Sequence, residues 1–401
     1  MTRITTGFVA DEFAARFDAA PEGIWSVPGR VSVMGDHTDI EDGLTLGHAV
    51  NRRSFVAVSR RNDSTIRVRS NLSDFEVDTT IEQLLPPTEH AWYDYPLGVI
   101  WAVLAHVAEM NTERTETCGD EAVLIRPTGL DIFLTTDVTI GAGLASSASV
   151  CGAMSLALND LWQLELTPQQ LAQFGYQVEK SYVRASSGPA DHVTCMTADA
   201  GVGVFYDARG NDVSPIPVSD LGSLGAVELL VYSGETHRNW ERNVADRHDA
   251  CDRVAKALGY QYLREVPHEE FERTTAIDET DRRRAGFVLS EMQRVLDAAR
   301  ALRENDLQAF GQLMNESHQQ MRDDFEVTSE RIDIICDLAR SQGAFGARLS
   351  GSGFGGAVVV VIPVERVDGL IADLREAFNE YGWGEVAFEP SGTNPGPSRD
   401  A

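Results

Sequence analysis

Glycines at 141 and 143 break the run Thr139-Ile-Gly-Ala-Gly-Leu-Ala-Ser-Ser-Ala-Ser149 just before an apolar stretch of helical character. A loop without Cβ atoms lets a ligand approach the backbone, and the free N–H groups of the next helical turn carry a favourable partial charge for an anion. Phosphate is the expected guest. The hydroxyls of Ser146, Ser147 and Ser149 can cap the helix, bond a phosphate oxygen or ligate Mg²⁺. An ordinary capped helix after a glycine turn would carry the same signature, so the segment must be weighed with its neighbours.

A Walker-type loop requires Gly-Lys-Ser/Thr, but the two lysines, Lys180 and Lys256, do not follow glycine-rich loops. A dinucleotide fingerprint requires a third glycine where Ser146 stands. A nucleotide held here is therefore held by backbone amides, hydroxyls and a metal. The net charge of −28 argues against nucleic acid or an anionic membrane as a partner and favours small-molecule work. With 401 residues, 43% of them apolar, the chain can bury a large core, and two domains are expected.

The five cysteines, at 118, 151, 195, 251 and 336, lack zinc-site spacing and read as reduced core thiols. No apolar run approaches the roughly 20 residues a bilayer needs, so a cytoplasmic protein is expected. Periodicity predicts strands at 55–59, 66–69 and 129–135 and helices at 96–110, 147–164 and 167–184. Beyond a boundary placed near 200–210, strands are expected at 202–206 and 227–232, then helices at 239–258, 284–305, 306–322 and 329–342. A β-type run, 357–362, follows the last glycine cluster. The alternation reads as α/β or α+β, ending in a loose tail at 391–401.

Three further segments carry chemistry. Pro28-Gly-Arg-Val-Ser-Val-Met-Gly-Asp-His-Thr-Asp39 gathers Arg30, Asp36, His37 and Asp39 around the end of a short apolar strand, a set suited to a polyol and a migrating phosphoryl group. Exposed loop charges are the plainer explanation of that segment alone. Ser186-Ser-Gly-Pro-Ala-Asp-His192 places Asp191 past a Gly-Pro turn, where it could accept a hydroxyl proton or cap a helix. Upstream, Glu179 offers a Mg²⁺ carboxylate or half of a surface pair with Lys180. Ser350-Gly-Ser-Gly-Phe-Gly-Gly356 has too many glycines for a plain turn and suggests close approach to a ligand or to the first loop.

Together these segments resemble the galactokinase family, within the small-molecule kinases that include homoserine, mevalonate and phosphomevalonate kinases. The 28–39 segment looks like that family's N-terminal signature, 141–149 like its phosphate loop and 348–356 like its C-terminal glycine motif. Trp92, Tyr95, Gly98 and the 313–327 region add to the similarity, which spans about residues 6–390. The resemblance implies an α+β, two-domain kinase. Its N-terminal half (1–205) would resemble ribosomal protein S5 domain 2, and its C-terminal half (206–390) would have a ferredoxin-like core. It implies ATP-dependent phosphorylation of the anomeric hydroxyl of galactose by a monomer or weak homodimer. Asp191 would be base or anchor with Arg30 beside it, and Asp36, His37, Asp39 and Asp191 would hold the sugar. Gly141, Ala142, Gly143, Leu144, Ala145, Ser146 and Ser147 would wrap the ATP triphosphate, and Ser147 and Glu179 would meet Mg²⁺.

Departures cluster at the sugar. Asp36 stands where the family has Glu, a carboxylate withdrawn by about 1.5 Å. Ile40 and Val244 stand where the family has Tyr, and Gly188-Pro-Ala-Asp-His192 replaces Gly-Ile-Met-Asp-Gln. The alternatives are therefore the same reaction on a uronic acid, heptose or N-acetylhexosamine, or a non-catalytic sugar sensor.

Overall fold

The computed structural model describes residues 3–74, 76–119, 122–185, 187–235 and 240–401. The first half runs α1 (Thr6–Phe17), β1 (Gly23–Met34), β2 (Leu44–Arg60), β3 (Thr65–Ser70), β4 (Val77–Thr80), α2 (Asp94–Cys118), β5 (Leu130–Thr136), α3 (Ser146–Trp162), α4 (Pro168–Gln177), α5 (Ala190–Thr197), β6 (Val202–Asp207) and β7 (Asp212–Pro217). The second half runs β8 (Ala226–Tyr232), α6 (Trp240–Ala257), α7 (His268–Arg273), α8 (Glu279–Glu304), α9 (Leu307–Asp323), α10 (Glu330–Ser341), β9 (Gly346–Ser350), β10 (Ala357–Pro363), α11 (Val367–Glu380), β11 (Ala387–Ser391) and β12 (Ser398–Arg399). Asn239, expected to open α6, and Ser186 lie outside the described residues.

The larger sheet has the order β12-β1-β2-β5-β3-β4, with β6 also on β2 and β7 on β6; only the β3–β5 pair is parallel. One face is covered by α2, α3, α4 and α5, whose apolar sides join Val27, Val56, Val58, Ile132 and Leu134 in one core. The α3 sequence is rich in Ala and Ser, and most of the helix is buried. Small side chains let it pack tightly on sheet and helices together. A capping box between Thr167 and Gln170, with Pro168 at the first helical position, starts α4 sharply.

The smaller sheet, β11-β8-β10-β9, is antiparallel throughout. Counted in chain order, its strands lie 4-1-3-2, with helices between the first and second and between the third and fourth, so its core is ferredoxin-like. The β10 run of valines is buried on both faces, as a central, β-branched strand requires. A third apolar cluster joins Val31, Met34 and Leu46 of the first sheet to Leu230, Val359 and Val361 of the second and to Val295 and Ala298 of α8. The halves therefore share a continuous core, and the site lies at their junction.

Three elements differ from the sequence reading. β6 and β7 extend the first sheet to Pro217 instead of opening the second half. The cause is the length of β2: β5 covers it only from Ser54 to Arg60, and β6 pairs with the remaining edge at Leu44–Gly47. The tail at 391–401 is held, because Ser398 and Arg399 pair with the free edge of β1, and the Ile24 N–H donates to the Ala401 carbonyl at 2.9 Å. The helix expected at 167–184 is α-helical only to Gln177, then makes a wider π-type turn at Val178–Val183. Such turns recur at functional sites, and this one contains Glu179.

Candidate active site

The 139–145 loop follows the larger sheet's β5, and Ala145 adopts a left-handed φ of 54° to start α3. Its partner is the second glycine loop. A Cβ on Gly143 would lie 2.4 Å from the Ser350 carbonyl oxygen, and one on Gly351 would lie 2.9 Å from Gly143 Cα. The loops meet backbone to backbone, so neither position can carry a side chain. Gly141, Gly143, Leu144, Ala145, Ser146 and Ser147 line a cavity of about 540 Å³, joined from the side by Trp92 and Tyr95. Ala142 instead sits in the core with Val138. Ser149 is structural as well: it donates to the Val27 carbonyl at 2.6 Å and accepts from the Ser54 N–H.

Across the cavity, irregular pairing of β1 with β2 on either side of Arg30 re-aims the strand. The buried Arg30 side chain donates through Nε and Nη2 to Asp191 Oδ1, at 2.8 and 2.5 Å, and through Nη1 to the Gly143 carbonyl at 2.5 Å. The Asp191 side chain stays 36% exposed to the cavity. Asp39 accepts the Ala190 N–H at 2.9 Å, capping α5 from another part of the chain. A side chain on Gly188 would collide with Asp39 Oδ2, at 2.1 Å. Burial raises Asp39 to about 6 despite that hydrogen bond.

Ser147 donates to Glu179 Oε1 at 2.7 Å, Ser187 donates to Oε2 at 2.5 Å, and His192 Nε2 stands 3.1 Å from Oε2. Burial opposes ionisation of Glu179, but His192 and the two serines outweigh it and hold the group down to about 2. Hard oxygen donors, one of them a fixed anion, suit Mg²⁺ beside a phosphate. Among the described residues no cluster of three or more His, Cys, Asp or Glu offers a complete cage.

Asp36 is committed elsewhere. Its Oδ2 accepts from Arg348 Nη2 at 2.6 Å and its Oδ1 from the Gly351 N–H at 3.1 Å. Burial nevertheless raises it to about 6, partly offset by Arg348 and Arg30. Glu291, fully buried on α8, extends this network: it accepts from the Gly35 N–H, Ser317 and Arg294 and lies 3.6 Å from Arg348. His37, at φ 69°, packs on Phe325 with ring centroids 4.8 Å apart and meets His248 of α6 at 3.3 Å.

All the sequence-predicted site residues except Ala142 and Ser149 thus line one cavity. Sequence reasoning missed His248 and Glu291. His248 had one available signal, its position four residues after Val244 and so on the same helical face; Glu291 had none, since it sits in an ordinary amphipathic pattern.

A phosphate-sized glycine seat at the junction of these two sheets, with an arginine-held carboxylate facing it, defines a small-molecule kinase of the GHMP group. Residues 99–199 match the GHMP kinases N terminal domain and 298–380 the GHMP kinases C terminal family. The chain belongs to the galactokinase family: residues 11–60 match the galactokinase galactose-binding signature, and whole-length relatives agree. The galactokinase of Streptomyces coelicolor is 33% identical over 386 residues, covering 95% of each chain. That of Mycobacterium tuberculosis is 34% identical, covering 93% of this chain and 98% of its own. In fold, the chain resembles a Lactococcus lactis galactokinase complexed with galactose, with a TM-score of 0.85, 23% identity and coverage of 98% and 99%.

Proposed function

We propose that this chain transfers the γ-phosphoryl group of ATP to the anomeric hydroxyl of D-galactose, giving galactose 1-phosphate and ADP. The observation that carries this reading is Arg30, which bonds Asp191 on one side and the Gly143 carbonyl on the other. One side chain therefore sets the distance between the acceptor's anchor and the loop that seats the donor. Both Arg30 bonds to Asp191 end on Oδ1, which leaves Oδ2 of this cavity-lining residue to accept the sugar's O–H. The anomeric oxygen forms its bond to the γ-phosphorus as the bond to the ADP oxygen breaks, and the proton leaves through Asp191. Fixed positioning and loop amides lower the barrier by orientation and charge stabilisation.

Ser147 and Glu179 would hold Mg²⁺, which supplies positive charge to the phosphate oxygens when bound. Asp39 and His37 would hold sugar hydroxyls, while Asp36 acts mainly through its bonds to Arg348 and Gly351. Another sugar is not favoured, because the galactose-binding signature spans Arg30, Asp36, His37 and Asp39. The sensor alternative loses ground because the Arg30–Asp191 and Ser147–Glu179 pairs are both assembled. The five cysteines are free, and no helix among the described residues is long and apolar enough to cross a membrane; both fit a cytoplasmic enzyme.

The test is ADP release with Mg·ATP across galactose, galacturonate, N-acetylgalactosamine, glucose, arabinose and a heptose. Galactose should give the highest kcat/KM. A different best sugar, or no turnover on any of them, overturns the reading.

A further inference from the structure

Beside its two serines, Glu179 has a third neighbour that the mechanism leaves unused, the imidazole of His192. Nε2 of this ring stands 3.1 Å from Glu179 Oε2, and the two residues are 1% and 5% exposed. A bare ring nitrogen so close to a carboxylate oxygen would be repelled, so Nε2 carries hydrogen. Its N–H points off the line to the oxygen, so the attraction is that of charge more than of an aligned hydrogen bond.

The ring is seated on α4. A Cβ on Gly175 would lie 2.2 Å from His192 Nδ1 and 2.8 Å from its Cε1, so the imidazole packs against bare main chain there. Glu179 follows four residues later, in the π-type turn that continues the same helix. The first turn of α5 thereby serves three parts of the site at once: the Ala190 N–H donates to Asp39, Asp191 accepts from Arg30, and His192 faces Glu179. A pair of the same kind lies elsewhere in the fold, where His48 Nε2 and Glu228 Oε2 are also 3.1 Å apart and buried. Neither of those residues lines the cavity. Glu179 does, together with Ser147 and Ser187, whose hydroxyls bond its two oxygens. With Ser187 and His192 both at Oε2, the carboxylate is left with Oε1 beside the Ser147 hydroxyl, two hard oxygen donors side by side.

We propose that His192 is a positioning residue for the metal: seated on α4, it fixes Glu179 by Oε2, so that Oε1 and the Ser147 hydroxyl are the oxygens offered to Mg²⁺. Groups that orient a metal-ligating carboxylate from behind commonly set the affinity of the site. The inference rests on the metal role given to Ser147 and Glu179 above and deepens it.

The experiment measures, by calorimetric titration, the Kd of AMP-PNP, a non-hydrolysable ATP analogue, in excess Mg²⁺ and in EDTA for wild type, His192→Leu and His192→Gln. Wild type should bind more tightly in Mg²⁺. His192→Leu should raise the Kd in Mg²⁺ about ten-fold and leave the Kd in EDTA unchanged, with KM for galactose at saturating Mg·ATP as in wild type. His192→Gln places an amide N–H where Nε2 stands and should recover most of the loss. A rise in both Kd values, no rise in either, or equal losses from the two variants overturns the proposal, since a merely structural histidine gives those results. If His192→Leu does not fold, as judged by its melting curve, His192→Asn takes its place, its amide being too short to reach Glu179. Wild type that binds AMP-PNP equally with and without Mg²⁺ removes the metal from Glu179, and the proposal falls with it. Failure of the galactose reading shows instead in the sugar panel and leaves both Kd values as they are.

Discussion

Two arginine–aspartate pairs flank the same cavity, with nearly the same bond lengths and opposite roles. Arg30 and Asp191 meet at 2.5 Å within the first half, and the Asp191 side chain keeps 36% exposure. Arg348 and Asp36 meet at 2.6 Å across the halves, with side chains 0% and 6% exposed. The open pair can exchange one carboxylate oxygen with a substrate without stranding a charge. The closed pair cannot, because a buried ion without its partner costs several kcal/mol. Exposure, more than contact distance, separates a reacting group from a brace.

Variants on each pair test that distinction. Asp191→Asn should lower kcat by roughly 10²–10⁴-fold with little change in Tm or in the ATP-induced Tm shift; retention of normal turnover removes Asp191 from proton transfer. Arg348→Met should behave in the opposite sense, destabilising the fold by about 3–5 kcal/mol in urea titration. Adding Asp36→Leu to that variant should recover part of the loss, and if the double variant is no more stable than the single, the pair is not a brace.

At the metal side, Glu179→Gln should raise the Mg²⁺ concentration for half-maximal rate by about ten-fold or more, seen in titrations at fixed ATP. An unchanged Mg²⁺ curve would place the ion elsewhere. A pH effect of smaller size should follow from Asp39, which burial holds at about 6 against an ordinary 3.8. The folded protein takes up this proton before the unfolded chain does. Asp39 therefore costs stability above about pH 6, and that cost is relieved as pH falls from 6 towards 3.8. Activity that needs the carboxylate should move the other way, with kcat/KM for galactose dropping through about pH 6. Asp39→Asn should lose the acid-side gain in Tm relative to wild type; identical pH–Tm curves would deny the burial effect. The smallest effect is expected from Asp36→Glu, with galactose KM changed by about three-fold or less, the range of a tolerated swap. A large improvement would show that the shorter arm, and not its commitment to Arg348, limits the sugar site.

The two glycine clusters and the 28–39 turn were legible because their constraint is local: loops that meet backbone to backbone must be written in glycine, and charges at a strand end have few core-packing explanations. The partners of those charges were not legible. Whether Asp36 faces a sugar or Arg348 depends on a residue 312 positions away, and His248 faces the cavity only because α6 packs against the first half's turn. Likewise β6 and β12 looked independent of the first sheet because composition does not reveal which edges of β1 and β2 lack neighbours. The π-type turn at Val178–Val183 keeps ordinary helical composition, so only the folded chain shows how Glu179 comes to lie beside Ser147.

The junction of Gly143 with Ser350 and Gly351 has a consequence for how this enzyme can diverge. Because main chain fills the space on both sides, mutation has no side chain there to enlarge, shrink or recharge, and a substitution that added one would wedge the halves apart. The phosphate seat is in effect closed to gradual tinkering. A lineage starting from this chain would have to change its appetite at the opposite wall, where Val244, His248 and Ile40 present ordinary side chains and single exchanges can be tried one at a time.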